Sequence, residues 1–182
     1  PAQRSILRKE SNRSRSALLE RIEAIDLRRQ QMEAGIVEQI QHRIQGQPDL
    51  LDRQALIMAE KSWHEGVLGI VAARLARQHA RPVILLARNG AQVRGSARSV
   101  PGIDLYRLLA SCETCLDHFG GHAMAAGLTL SVDRLADFEK QLLTNLAEQT
   151  QPEDFRKHLT LDAEITLDEI SPRLLDQLES LQ

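Results

Sequence analysis

An α/β fold built on a mixed sheet flanked by helices is predicted by three features of this sequence. Between Gln54 and Glu148, apolar runs of strand length alternate with segments of helical period. Gly, Pro and Asn mark the changes of texture. Ahead of this region lies one long amphipathic segment, too extended to belong to the same small unit.

Residues 1–14 are polar and basic without periodicity and are expected to form a frayed end. From Ser16, the positions Leu18, Ile22, Ile25, Met32, Ile36, Ile40 and Ile44 recur at steps near three and four. They predict an amphipathic helix of roughly 28 residues. Such a helix suits a rod between two domains, and Gly46, Pro48 and Asp49 end it. Ala55–Ala59 then reads as a buried strand. Ser62-Trp63-His64-Glu65 has the form of a capping box, opening a helix whose apolar stripe is Val67, Leu68, Val71 and Leu75. Pro82–Ala87 predicts a second strand, and Ala91–Ala97 a third after the turn at Asn89-Gly90. Asp104 is placed to cap a helix running to about Cys115, Gly120-Gly121 to break the chain, and Ala123–Leu130 to be extended. Asp133 to Glu148 closes the region as a helix, and Gln149–Asp154 reads as a linker. Beyond it, His158–Ile165 alternates as a strand and Ser171–Leu181 turns helical.

The composition narrows the classes of function. The chain has 182 residues, 42% of them hydrophobic, which suits one domain with attached pieces. The longest apolar runs reach only about six residues, far short of a membrane-spanning helix. No signal peptide is legible, and Pro1 in place of Met suggests that the natural N-terminus lies upstream. Aromatics make up 3%, which limits any mechanism built on stacking bases on exposed rings. Residues 54–131 carry 8 basic and 5 acidic side chains and four of the six histidines, whereas residues 132–182 carry 5 and 12. A polyanion would therefore meet the middle of the chain and not its tail. Cys112 and Cys115 form a single CxxC near His118 and His122. A zinc site can be written from these four, but two small residues on the buried side of a helix fit better. With no disulfide framework, a reducing cytoplasmic compartment is expected.

Three segments carry possible chemistry. Trp63–Val71 reads W-H-E-G-V-L-G-I-V, with Gly66 and Gly69 in the first turns of a helix. Each glycine there costs about 0.5–1 kcal/mol relative to alanine, which implies close packing or a ligand. The free N–H groups of a helix start also suit phosphate, with Trp63 and His64 alongside. Gly95–Ser99 reads G-S-A-R-S, where the Arg98 guanidinium could fork onto phosphate oxygens while Ser96 and Ser99 donate hydroxyls. The bland alternative is a surface arginine after an edge strand. Phe119–Gly127 reads F-G-G-H-A-M-A-A-G: Gly120 and Gly121 would let the backbone approach a ligand, with His122 presented at a bend.

In that order and spacing, these three strings resemble the DHHA1 domain of the RecJ family of single-stranded-DNA-specific exonucleases. The resemblance covers Gln54–Glu148 strongly, the preceding helix and the tail more weakly. It implies residues 1–53 as a connector from a DHH domain, 54–149 as DHHA1, and 150–182 as the start of an OB-fold. It further implies 5′-to-3′ removal of nucleotides from single-stranded DNA in repair and recombination. Mn2+ or Mg2+ would be held by a DHH domain, which this sequence lacks; no D-H-H string occurs, and Asp117-His118-Phe119 is only its nearest approach. By the same resemblance, Arg98 and His122 face the catalytic cleft and hold the DNA backbone. Ser96, Ser99, Trp63, His64, Gly66, Gly120 and Gly121 are further candidate contacts, and no metal ligand is assigned. Alone, the chain is expected to be inactive. The alternatives are a phosphodiesterase for short oligonucleotides or cyclic dinucleotides, and a truncated remnant that merely folds.

Overall fold

The computed structural model describes residues 2–156 and 163–180, with side chains described from Leu18 onward and that of Asp168 excepted. The first element, α1 (Ala2–Gly46), is 45 residues long, so the helix is not the 28-residue segment read from Ser16, and residues 2–14 are not a frayed end. The stretch before Gly35 contains neither Gly nor Pro after Pro1 and is rich in Arg, Gln, Glu and Leu, whose helix propensity extends the element past its apolar pattern. Ile36, Val37 and Ile40 are buried against the rest of the molecule, whereas Leu18, Leu19, Ile22, Ile25 and Leu27 are exposed.

The elements that follow are β1 (Leu56–Glu60), α2 (Glu65–His79), β2 (Val83–Asn89), β3 (Gln92–Arg98), α3 (Leu105–Ala110), β4 (His118–His122), β5 (Ala125–Ser131), α4 (Leu135–Gln149) and α5 (Pro172–Glu179). Five strands form one sheet in the order β1-β2-β3-β5-β4. Only β1 and β2 run parallel, joined through α2; the remaining pairs are antiparallel. Val83, Ile84, Leu85 and Leu86 are fully buried, because β2 is covered on both faces. On one face α2 packs over β2 and β3, with α1 behind it; α3 packs against β4 and β5, and α4 against α3.

Local chemistry explains most boundaries. The two-residue turn at Gly90-Ala91 closes the β2–β3 hairpin, with Gly90 at φ +61° where a glycine is favoured. Asp104 caps α3 by accepting from the Arg107 N–H at 3.1 Å, as its sequence position predicts, but α3 ends at Ala110 and a 3-10 turn occupies Glu113–Cys115. The cap of α2 is His64 and not Ser62: its Nδ1 accepts from the Gly66 N–H at 3.1 Å, so the Ser62–Glu65 capping box does not form. Gly120-Gly121 does not break the chain either; both glycines lie inside β4, the outermost strand beside β5. The linker read at Gln149–Asp154 is a 3-10 turn, Pro152–Phe155, after an α4 that extends through Gln149. Of the strand expected at His158–Ile165, residues 158–162 lie outside the described residues. Residues 163–166 are not strand, and Ser171 caps α5 with its hydroxyl, accepting from the Leu174 N–H.

Candidate nucleic-acid interface

Strand register brings Arg98, Ser96, Gly120 and His122 onto one surface. Directly paired residues of antiparallel strands project to the same face of a sheet. Arg98 of β3 pairs with Ala125 of β5, which pairs with His122 of β4. The next row is Ser96, Gly127 and Gly120; the row after that is Arg94, Thr129 and His118. This face continues the one that α2 covers over β2, but α2 stops short of β5 and β4. Gly127, Gly120, His118 and His122 are exposed. The opposite face carries Val93, Ala97, Ala126, Leu128 and Leu130, all buried.

Arg98 is the most unusual group on the open face. Its guanidinium is half-buried and donates to the Ala97 carbonyl at 2.9 Å, and no carboxylate pairs with it among the described residues. Burial pushes it down from its ordinary value, although an arginine so placed still keeps its charge. A half-buried cation without a counter-ion is a standing site for an anion. The side chain lies across α2 at Gly69, where an added Cβ would stand 2.6 Å from Nη2 and 3.5 Å from the Ser96 hydroxyl. Gly69 thus leaves room for the guanidinium. Gly69→Ala is expected to gain about 0.5–1 kcal/mol of helix stability while displacing Arg98 and weakening anion binding. Thermal melts and anisotropy titrations of one preparation measure both effects; unchanged binding would mean Arg98 needs no such slot.

His122 is exposed, and its Nδ1 accepts from the Met124 N–H at 3.3 Å. That bond leaves the neutral ring's proton on Nε2, making Nε2 the donor. Gly121 has φ +148°, and an added Cβ would strike the Ala125 carbonyl, so packing explains this glycine. An added Cβ at Gly120 would meet nothing within 4 Å, so packing does not explain that one. Ser96 is half-buried beside Arg98.

Other candidates are placed elsewhere. Trp63 is buried, and its indole Nε1 donates to Gln39 Oε1 of α1 at 2.8 Å, so it joins α1 to the sheet domain. Ser99 is buried with its hydroxyl donating to the Ile103 carbonyl at 2.7 Å, which ties the loop after β3 and leaves nothing for phosphate. Gly66 uses its N–H on His64, so the start of α2 is capped internally. Arg94 was absent from the sequence-derived set, yet it belongs to the row beside Thr129 and His118. The signal was present in the period-two alternation of Arg94, Ser96 and Arg98.

The family model for the DHHA1 domain matches residues 52–148. This chain belongs to the DHHA1 domain family. The single-stranded-DNA-specific exonuclease RecJ of Bacillus subtilis is 33% identical over 151 residues, an alignment that takes in 82% of this chain and 19% of that protein. The crystal structure of an exonuclease RecJ bound to manganese superposes with a TM-score of 0.66 at 26% identity, covering 79% of this chain and 34% of that one. RecJ of Thermus thermophilus in complex with Mn2+ gives 0.63 at 28% identity, covering 75% and 20%. The chain therefore spans about a sixth to a quarter of the length of the curated relatives it matches.

Parts of two of the DHHA1 strings fall on the open face, with the Gly-Ser-x-Arg-Ser arginine and the Gly-Gly-His histidine in one cross-strand row. The described residues hold no group of three or more His, Cys, Asp or Glu side chains able to share a metal ion, so the metals of those RecJ structures have no fitting donor set here. Cys112 and Cys115 are buried and engaged by Asn145 and Gln141 of α4, not by the histidines. No described helix is long and apolar enough to cross a membrane.

Proposed function

We propose that this DHHA1 domain is the strand-holding part of a cytoplasmic 5′-to-3′ single-stranded-DNA exonuclease of DNA repair and recombination. Arg98 and His122 hold the phosphates next to the scissile bond. The half-buried guanidinium of Arg98, unpaired with any carboxylate among the described residues and in the same cross-strand row as His122 with its Nε2 donor, carries this reading. Their contribution is placement of the substrate and stabilisation of charge. Mn2+ or Mg2+ and the attacking water belong to a DHH domain across the cleft, outside these residues. On this reading residues 1–53 are the connector, 54–149 the DHHA1 unit and 150–182 the start of an OB-fold.

The test is an anisotropy titration of a 5′-phosphorylated single strand at low salt. Wild type should bind weakly and lose affinity as salt rises, since few cations contribute. Arg98→Ala should weaken binding by about tenfold or more, the worth of a charge-assisted forked contact. Equal binding by both proteins would remove Arg98 from the interface. Preference for two- to four-nucleotide ligands over long strands would point instead to a short-oligonucleotide phosphodiesterase. With manganese added, the isolated chain should not cleave either substrate; turnover would overturn the assignment of chemistry to a separate domain.

A further inference from the structure

We propose that the strand does not stop at Arg98 but runs beside α2, over β5 and β4, to a second phosphate site at Arg94, so that the open sheet face is a track for several consecutive nucleotides. This rests on the reading of the face as a single-stranded-DNA interface and extends it. Four observations support the track.

The first is register: Arg98 and Arg94 project from the same face four residues apart, a separation of about 13 Å along a strand. The second is shape. Between the two arginine rows lies Ser96-Gly127-Gly120, a row with almost no side chain. An added Cβ at Gly120 would meet nothing, and at Gly127 only the Gly95 carbonyl at 3.8 Å, so this bare row leaves a free channel and is not a packing requirement. A shallow cleft of about 300 Å³ sits here, lined by Glu65, Arg94, Ser96, Gly127 and Thr129 among others.

The third is charge and donor placement. The far row ends in Arg94, the Thr129 hydroxyl and the exposed His118, all groups that can donate to phosphate oxygens. The fourth is availability. Among the described residues Arg94 is paired only with Glu65, at 3.9 Å, and both side chains are exposed. Such a pair is worth little and yields to a phosphate. Glu65 is also the only carboxylate lining this cleft, so it opposes the incoming strand. A row of glycines between phosphate contacts offers nothing to read base edges, which suits a strand of any sequence.

The experiment measures the slope of log K against log salt for 5′-phosphorylated oligothymidylates of two and twelve nucleotides. The proteins are wild type, Arg94→Ala, Arg98→Ala and Glu65→Gln, each checked for native circular dichroism. For the 12-mer, Arg94→Ala should reduce the slope by about 0.7, the contribution of one single-strand phosphate contact. For the dinucleotide it should change nothing, because that ligand is too short to span both rows. Glu65→Gln should tighten 12-mer binding. An unchanged 12-mer slope for Arg94→Ala, beside a reduced slope for Arg98→Ala, would overturn the track and leave the interface standing. If neither arginine affects the slope, the interface itself fails and the track with it.

Discussion

A Gly95→Ala variant should lose a large part of its folded stability, about 3 kcal/mol or more from a total of order 5–15. Gly95 lies in β3 between Leu86 of β2 and Leu128 of β5. A Cβ there would strike the Leu85 carbonyl and stand 2.6 Å from Leu86 Cδ2. The obstacle is backbone in a strand paired on both sides, so relief requires breaking the ladder between the two covered layers. Urea denaturation followed by far-UV circular dichroism measures the loss. Gly120→Ala is the internal control, because its Cβ enters open space and its midpoint should move by no more than about 0.5 kcal/mol. Equal midpoints for the two variants would mean that β2 and β3 can separate locally at Gly95.

Trp63→Ala should cost about 3–5 kcal/mol, the usual range for emptying a buried aromatic site. Trp63 is buried beneath α1 and reaches Gln39 through its only polar atom, while Arg43 of α1 pairs with Glu60 at 3.1 Å nearby. Trp63→Phe keeps most of the apolar contact and loses the indole N–H, so it should cost only about 1 kcal/mol beyond the change in volume. The same denaturation series separates them. Binding of single strands to both variants, measured well below their midpoints, should match wild type; a selective binding defect in Trp63→Phe would return the indole to the interface.

Elements whose signals are local were legible in the sequence. The apolar runs around Val83–Leu86, a hairpin turn containing Gly90 (one residue later than read, at Gly90-Ala91) and the Asp104 cap all depend on residues close in the chain. Gly120-Gly121 misled because glycine usually punctuates, whereas here β5 supplies an extended partner only after the sheet assembles. That error hid the alternation of His118, Gly120 and His122, and with it the third strand of the open face. The choice of Ser62 over His64 as helix cap follows the commoner residue preference; the structure instead uses an imidazole nitrogen as acceptor. Trp63 and Ser99 looked like ligand contacts because their motifs border the interface. Whether a side chain in such a motif faces outward is decided by α1 and by the Ile103 loop, neither of which is local in sequence.

The length of α1 has a mechanical consequence. From Ile36, in the seam against the sheet domain, to the exposed Leu18 is about 27 Å of helix. The outer portion acts as a lever whose fulcrum is a few aliphatic side chains, one indole N–H and the Arg43–Glu60 pair. A tilt of about 10° at that fulcrum would carry Leu18 sideways by about 5 Å. The converse also holds: force applied at the outer end arrives at β1 as torque, multiplied by the length of the arm. The stiffness of this small seam therefore sets how faithfully the orientation of the helix is passed to the sheet, and Gln39 is the residue through which that stiffness can be tuned without touching the sheet itself.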